Sequence, residues 1–308
     1  MLSTNQKTIN SPIKLRGIGL HNGIIADIVI KPANENTGIN FCRIDIDKND
    51  LINANFKNVV EPILCTKISN KNGVTISTVE HLMAAFFGEG IDNVLVEVNA
   101  SEVPILDGSA AEFVEAIRSV GVKEQSAQRQ FIKVEKKIEI KEGDKFISIE
   151  PSNNDLIIDF EIVYKNPLIR TRRKEFKLSD NKLSEIYNSR TFCLYEDIDL
   201  IKSRGLAKGG SLENAIVVKD HEILNEDGLR NRHEFIYHKI LDCMGDLMLS
   251  GNRIFGHVKT SQGGHALTNK LLIKFFSDKS NWSIQSIKTI DEKAQIKETL
   301  KKPITASI

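Results

Sequence analysis

The chain has 308 residues, of which 41% are hydrophobic and 27% charged, a composition typical of a folded globular protein. Its 42 lysines and arginines almost balance its 41 aspartates and glutamates, so the formal net charge is +1. This balance argues against a nucleic-acid-binding or membrane-surface protein, because both classes concentrate basic charge. The length predicts two domains, each large enough to bury a core.

Three features predict a cytoplasmic protein. The longest wholly apolar run, residues 82–87, has six residues, far fewer than the roughly 20 that cross a bilayer, so we expect no stable membrane insertion. The N-terminal segment lacks the apolar core of a signal peptide. The cysteines form no CxxC pair, which argues against a disulfide framework and against a thiolate zinc site. They stand at positions 42, 65, 193 and 243.

The first half of the chain alternates β-branched runs with compact apolar stretches. The predicted elements are strands over residues 24–32 and 93–98 and helices over residues 78–87 and 110–118. We expect the first helix to begin near Thr78, because Ser77 and Glu80 have the S-x-x-E spacing of a capping box. The polar, aperiodic run over residues 122–130 predicts an interdomain linker. We therefore expect an N-terminal domain over 1–124 and a C-terminal domain over 125–308.

The second half begins with strand patterns and continues into helices. The predicted elements are strands over residues 132–140, 146–150, 156–164 and 254–258, a turn over 141–145, and helices over 231–250 and from 267 onward. Alternating apolar residues over 156–164 are typical of a half-buried antiparallel sheet. Gly251 is expected to end the longer helix. Residues 280–308 predict a peripheral strand followed by a tail.

The helix over 231–250 carries a first candidate metal site. His238 and Asp242 are four residues apart, so their side chains can reach one cation. Lys239 and Asp246 fall on the same arc, and this crowding of ionisable groups favours a site. The alternative at this point is a solvated His–Asp pair on an exposed helix face.

The helix over 78–87 carries a second pair. His81 could bind a metal while the neighbouring Glu80 acts as base for a water molecule. Together with His238 and Asp242, His81 would complete three ligands and leave a position open, as in zinc hydrolases. This arrangement requires the two domains to meet face to face. The alternative is that Glu80 only caps its helix and His81 is a core histidine.

His265 follows two glycines in the segment GGHAL, which we interpret as a loop. Glycines allow backbone to approach a ligand closely, and a histidine there could protonate a leaving group with Asp246 holding its other ring nitrogen. A loop histidine without function is the alternative. Residues 205–211 match neither common phosphate-loop pattern, so nucleotide hydrolysis is not supported.

Several long motifs point to one family. The segments are STVEHLMAAFFGEGIDNVLVEVNASEVPILDGSA, SRTFCLYEDIDLIKSRGLAKGGSLENAIVV, NEDGLR, HKILDCMGDL and GGHALTNKLL. Through them the chain resembles the UDP-3-O-acyl-N-acetylglucosamine deacetylases, zinc amidohydrolases of lipid A biosynthesis. The resemblance runs from residue 16 to about residue 275.

The resemblance implies a catalytic site with one zinc ion per chain, for which ferrous iron could substitute in the cell. The implied zinc ligands are His81, His238 and Asp242. The other implied roles are Glu80 as general base, His265 as cationic acid, Asp246 as its orienting partner and Thr191 as a donor to the oxyanion. Cys65 resembles a cysteine that can join an inhibitory second zinc, and a merely buried thiol is its equal alternative. His21 matches the family without an assigned role.

The resemblance also implies a substrate site. Lys239 and Lys145 would contact the UDP phosphates, Tyr164 would stack on the uracil ring, and Gly264 would lie against the substrate. The fatty acyl chain would enter an apolar passage formed by Phe192, Ile198, Ala207, Gly210, Ser211, Ala215 and Val217.

The implied fold is α+β, with two similarly built domains, each a helical layer packed on a mainly antiparallel sheet, and the active site between the helical layers. The implied reaction removes the N-acetyl group from UDP-3-O-(3-hydroxyacyl)-N-acetylglucosamine. Acetate and UDP-3-O-acyl-glucosamine would be the products. We expect a monomer whose partner is this substrate and not nucleic acid. The alternatives are a different zinc hydrolase and a non-catalytic sugar-nucleotide binding protein.

Overall fold

The structure is a computed structural model that describes residues 4–46, 50–180 and 182–286. The strands of the first half are β1 (Asn5–Ile9), β2 (Ile13–Ile18), β3 (Ile25–Pro32), β4 (Ile39–Arg43), β5 (Leu51–Asn53), β6 (Ile68–Ser69), β7 (Thr75–Ile76), β8 (Val94–Val98) and β9 (Val122–Gln128). Those of the second half are β10 (Gln130–Val134), β11 (Ile138–Glu142), β12 (Lys145–Glu150), β13 (Leu156–Ile162), β14 (Arg172–Lys177), β15 (Phe192–Leu194), β16 (Ile216–Lys219), β17 (Glu222–Ile223), β18 (Arg253–Ser261) and β19 (Trp282–Ser286). The α-helices are α1 (Glu80–Glu89), α2 (Ala111–Val120), α3 (Leu183–Tyr187), α4 (Ile198–Ser203), α5 (Glu234–Met248) and α6 (His265–Phe276).

The first half of the chain builds a five-stranded sheet in the order β2-β3-β8-β4-β5. Its neighbours are antiparallel except for β4 and β8, which run parallel. In β8 the residues Val94, Val96 and Val98 are buried while those between them are partly exposed. This alternation is expected for a strand in a sheet that packs only one face against the core. The predicted strands over 24–32 and 93–98 are confirmed.

The second half builds a seven-stranded sheet around β18. This strand is antiparallel to β12 and parallel to β10 and β13, and the β11–β12 hairpin carries the predicted turn. Leu156, Ile158, Phe160 and Ile162 of β13 are buried, as their alternation predicts. Strands β15, β16 and β17 form a small separate sheet, and the short helix α4 lies between β15 and β16 in the sequence.

The two helical layers meet where α1 packs against α5. Lys239 is the one residue of the fully described α5 that is not buried, so the alternative of an exposed His–Asp face is wrong. A β-carbon at Gly245 would lie 2.0 Å from the carbonyl oxygen of Glu80. Only glycine permits this approach, which brings the first turn of α1 onto α5. The predicted α+β class is confirmed.

The first helix begins two residues after its predicted start near Thr78, and the predicted capping box is wrong. Helix α1 begins at Glu80, and Thr78 has a left-handed backbone with φ of 58°. The Ser77 hydroxyl donates to the Ser101 carbonyl oxygen, and the Glu80 carboxylate accepts from the Thr66 backbone N–H. The S-x-x-E spacing therefore does not form a capping box here, because both side chains bond to distant residues.

The predicted linker is also wrong. Residues 122–128 form β9, which pairs antiparallel with β1 at the other end of the same half. The predicted strand over 132–140 is divided between β10 and β11. The boundary between 124 and 125 stays a prediction. Of the predicted C-terminal strand and tail, β19 is observed and residues 287–308 lie outside the described part of the chain.

Among the residues that the structure describes, no helix combines the length and the apolar composition needed to cross a membrane.

Candidate active site

Helices α1 and α5 bring His81, His238 and Asp242 together. The Nε2 atoms of His81 and His238 lie 3.5 Å and 3.4 Å from Oδ1 of Asp242, and one ligand atom from each residue lies within 4.8 Å of the others. All three side chains are buried. The i,i+4 spacing supplies two of these groups, and the helix contact supplies the third.

The protonation of these residues suits a divalent metal. Nδ1 of His238 lies 3.0 Å from the Ser189 carbonyl oxygen, which can only accept, so Nδ1 carries the proton and Nε2 presents a lone pair. Burial lowers the pKa of His238 to about 3, which keeps the ring neutral. Among the described residues, buried Oδ1 of Asp242 has no hydrogen-bond partner. An unpaired buried carboxylate oxygen beside two imidazole nitrogens fits the ligand set of a catalytic zinc ion.

The other oxygen of Asp242 is bound by Lys239. Its Nζ donates to Oδ2 over 2.6 Å, which directs Oδ1 toward the two histidines. Burial opposes charge on Asp242, but the positive charge of Lys239 helps to hold the pKa of this carboxyl well below its usual value. Burial likewise lowers the pKa of Lys239, whereas Asp242 raises it to about 12. Both groups are therefore charged at neutral pH.

Glu80 is the first residue of α1 and directly precedes His81. His81, His238 and Asp242 could hold a metal ion, and we call them the metal-binding trio. Oε2 of Glu80 accepts from the Thr66 backbone N–H over 3.0 Å, and its Oε1 lies 3.8 Å from Nε2 of His265. Burial raises the pKa of Glu80. A carboxylate with raised pKa and one free oxygen is the kind of group that accepts a proton from water.

His265 forms a charged pair with Asp246. Its Nδ1 lies 2.8 Å from Oδ2 of Asp246, whose Oδ1 accepts from the Thr66 hydroxyl over 2.5 Å. Burial lowers the pKa of His265, but Asp246 and Glu80 outweigh it and raise the pKa to about 9. The ring is therefore protonated at neutral pH. The interpretation of His265 as a loop residue is wrong, because it opens α6 after an extended Gly264.

Thr191 reaches the site from the segment between α3 and β15. Its neighbour Arg190 is buried and bonds through Nε to Glu234, the first residue of α5, over 2.9 Å. The Thr191 N–H donates to the Gly108 carbonyl oxygen over 2.8 Å. The first bond ties the segment to the helix that carries His238, and the second ties it to the turn before α2.

These groups open into a cavity of about 360 Å³. Of the residues predicted for the site, its lining includes Glu80, His81, Lys145, Tyr164, Thr191, Phe192, His238, Lys239, Asp242, Gly264 and His265. Tyr164 lies two residues beyond the end of β13, with its ring centroid 5.7 Å from that of Phe192. Asp246 is not part of this lining and lies behind His265.

A second, mainly apolar cavity of about 400 Å³ adjoins the first. The two share Leu20, Leu64, Thr191 and Phe192. Every residue predicted for the acyl passage lines it: Phe192, Ile198, Ala207, Gly210, Ser211, Ala215 and Val217. The charged cavity, which His81, His238 and Asp242 line, thus continues into an apolar channel past these four shared residues.

Comparison with known proteins identifies the family. The model of the LpxC family, described as UDP-3-O-acyl N-acetylglycosamine deacetylase, matches residues 6–277. The chain belongs to this family. A Pasteurella multocida protein named UDP-3-O-acyl-N-acetylglucosamine deacetylase is 40% identical over 294 residues, covering 94% of this chain and 95% of the relative. Proteins of the same name from Pseudoalteromonas translucida and Haemophilus influenzae are 42% and 38% identical, covering 92% and 98% of this chain and 94% and 99% of the relatives.

Cys65 of this family member is buried beside the site and lines neither cavity. Burial, with the nearby Glu80 carboxylate, raises the pKa of its thiol to about 12. The residue is therefore a neutral thiol at physiological pH. Its service as a ligand for a second metal stays a prediction.

Two buried residues of the site were not predicted from the sequence. Thr66 contacts Glu80, Asp246 and His265. Glu102 is fully buried and accepts hydrogen bonds that join the turn at His21 to Thr78 just before α1. Neither residue stands in a ligand spacing or a periodic pattern, so the sequence carries no local signal for these contacts.

Proposed function

We propose that the chain removes the N-acetyl group from UDP-3-O-(3-hydroxyacyl)-N-acetylglucosamine in lipid A biosynthesis, releasing acetate and UDP-3-O-acyl-glucosamine. The observation that carries this proposal is that the charged cavity lined by the metal-binding trio adjoins the apolar channel. A substrate that joins a charged nucleotide, an acetamide and a fatty chain matches that arrangement. Membership of the deacetylase family supports it.

His81, His238 and Asp242 would hold the metal, which we propose to be one zinc ion, with ferrous iron as its alternative in the cell. Two imidazoles and one carboxylate, with their nitrogen and oxygen atoms within 4.8 Å of one another, support this assignment. When bound, the cation supplies Lewis-acid chemistry, since it polarises a carbonyl oxygen and lowers the pKa of water.

Glu80 and His265 would divide the proton transfers. Glu80 accepts the proton of the attacking water at Oε1, because Thr66 already occupies Oε2. His265 is protonated and directs Nε2 to within 3.8 Å of that same oxygen. It can therefore stabilise the developing oxyanion together with the Thr191 hydroxyl and donate a proton to the departing amine.

The nucleotide and the acyl chain would bind on opposite sides of this centre. Lys145 and Lys239 offer positive charge for the phosphates, and the Tyr164 ring offers a stacking surface for uracil. The acyl chain would occupy the apolar channel, where each buried methylene contributes about 0.8 kcal/mol. A different zinc hydrolase does not need this channel. A protein that only bound the nucleotide does not need a protonated histidine opposite a carboxylate.

Acetate release from UDP-3-O-acyl-N-acetylglucosamine by the purified protein tests the proposal. We expect turnover that a chelator abolishes and added zinc restores, with UDP-N-acetylglucosamine a very poor substrate because it lacks the acyl chain. Comparable rates with and without the acyl chain would refute the substrate assignment. Full activity after complete metal removal would refute the metal assignment. Action in the cytoplasm and a monomeric state stay predictions.

A further inference from the structure

Thr66 lies where three groups of the proposed reaction meet. It is 1% exposed and follows Cys65 in the loop before β6. Its backbone N–H donates to Oε2 of Glu80 over 3.0 Å, and its hydroxyl oxygen lies 2.5 Å from Oδ1 of Asp246 and 3.1 Å from Nδ1 of His265. One residue thus contacts the base, the acid and the carboxylate that orients the acid.

The protons in this cluster can be assigned from the partners. An ionised carboxylate only accepts, so the Thr66 hydroxyl proton points to Asp246. The hydroxyl lone pair then faces Nδ1 of His265, which is protonated because the ring is cationic. That N–H is shared between the Asp246 carboxylate at 2.8 Å and the Thr66 hydroxyl at 3.1 Å.

This shared hydrogen bond restricts the imidazole in two ways. An Asp246 carboxylate bonded only to His265 could rotate, and the imidazole ring would rotate with it. The Thr66 hydroxyl prevents this because it also bonds to Oδ1 of Asp246. With Nδ1 held on one side, Nε2 faces the cavity and Oε1 of Glu80. The backbone N–H of Thr66 also donates to Oε2 of Glu80, so the same residue fixes the positions of both the base and the acid.

We propose that Thr66 is a positioning residue that holds Glu80 and His265 at their working separation. This inference rests on the proposed deacetylation, in which those two residues move protons. It assigns Thr66 no contact with substrate, because Thr66 does not line the cavity into which His81, His238 and Asp242 open.

Three variants of the metal-loaded enzyme test the inference. Thr66→Val removes the hydroxyl and keeps the side-chain shape and the backbone N–H, whereas Thr66→Ser keeps the hydroxyl. Thr8→Val is the matched control, because Thr8 is also buried and its hydroxyl both donates to Asn93 and accepts from Ala33 N–H, far from the site in β1. All three are assayed for kcat, KM and bound zinc.

We expect Thr66→Val to lower kcat by about 10- to 100-fold, since small misplacements of catalytic groups have effects of this size. KM and zinc content should stay within twofold of wild type, because neither a ligand nor the cavity lining changes. Thr66→Ser should retain kcat within about threefold. Thr8→Val should lower the melting temperature and leave kcat unchanged. Wild-type kcat in Thr66→Val, or equal losses in Thr66→Ser and Thr66→Val, would overturn the inference.

A measurement without turnover separates this inference from the proposed function. In protein labelled with ¹⁵N-histidine, the Nδ1 proton of His265 should exchange with solvent faster in Thr66→Val than in wild type and Thr66→Ser. Equal exchange in all three would contradict the shared hydrogen bond even if the enzyme is a deacetylase. Failure of the wild type to release acetate would refute the proposed function, whatever the exchange rates.

Discussion

Replacing Gly245 with alanine should separate the two helices that carry the proposed metal ligands. The added β-carbon would lie 2.0 Å from the Glu80 carbonyl oxygen and 3.1 Å from the Ala84 backbone nitrogen. Ordinary van der Waals contact begins at 3.4 Å, so the first contact needs about 1.4 Å more room. Because its first neighbours are backbone atoms, the helices must move apart.

Two effects on stability oppose each other in this variant. Alanine in a helix interior is favoured over glycine by about 1 kcal/mol, while overpacking a core costs about 1–3 kcal/mol. The free energy of unfolding should therefore fall by no more than about 2 kcal/mol. The effect on turnover is larger, because a misplacement near 1 Å costs on the order of 10²-fold in rate. We expect a folded protein with weaker zinc binding and strongly reduced kcat.

The assay measures kcat, zinc affinity and melting temperature for Gly245→Ala beside a control, Gly256→Ala. A β-carbon at Gly256 in β18 would also be crowded, at 2.6 Å from the Val134 side chain, but it lies away from the α1–α5 contact. The control should lose stability and keep zinc affinity and kcat. Wild-type zinc affinity and kcat in Gly245→Ala would refute the argument that this contact sets the site.

Further predictions concern the metal, the proton transfers and the channel. His81→Ala and His238→Ala should lose bound zinc and activity, and full zinc occupancy by elemental analysis in either variant would remove it from the ligand set. Glu80→Ala should keep zinc and lose about 10²–10⁴-fold in kcat, the usual contribution of a general base; a near wild-type rate would exclude that role. Because the pKa of His265 is raised to about 9, kcat/KM should fall as pH rises through that value and the acid loses its proton. The same raised pKa stabilises the fold fully below the ordinary value of 6.5 and loses that contribution as pH rises through about 9. An alkaline limb retained in His265→Ala would contradict this assignment. Gly210→Leu should lower kcat/KM more for long acyl chains than for short ones, since Gly210 lines the channel; equal losses at every chain length would indicate a folding defect alone.

Two of the three residues of the metal-binding trio could be predicted from the sequence, because they are one helical turn apart. His238 and Asp242 share a face of any helix that contains them. The contact that adds His81 could not be derived in that way, because it depends on α1 meeting α5 at Gly245. From the residues alone, His81 could be proposed as the third ligand only on the condition that the two domains meet face to face, and resemblance to a family supplied that condition.

Contacts between residues distant in the sequence explain the features that the sequence did not predict. The polar run that forms β9 has no strand pattern of its own and is a strand because β1 lies beside it. Ser77 and Glu80 have the spacing of a capping box but bond to Ser101 and Thr66. Thr66 and Asp246 are 180 residues apart, and no local pattern reports a hydrogen bond over that distance.

Because the proposed ligands are divided between α1 and α5, a bound cation would affect the stability of the fold as well as catalysis. His81 comes from the first half of the chain and His238 and Asp242 from the second, so one ion closes a loop of more than 150 residues. A ligand that binds only the folded state stabilises it by about 4 kcal/mol when its free concentration is 1,000 times the dissociation constant. Scarcity of the metal would therefore lower the amount of folded enzyme as well as its turnover, because the same cross-link supports both.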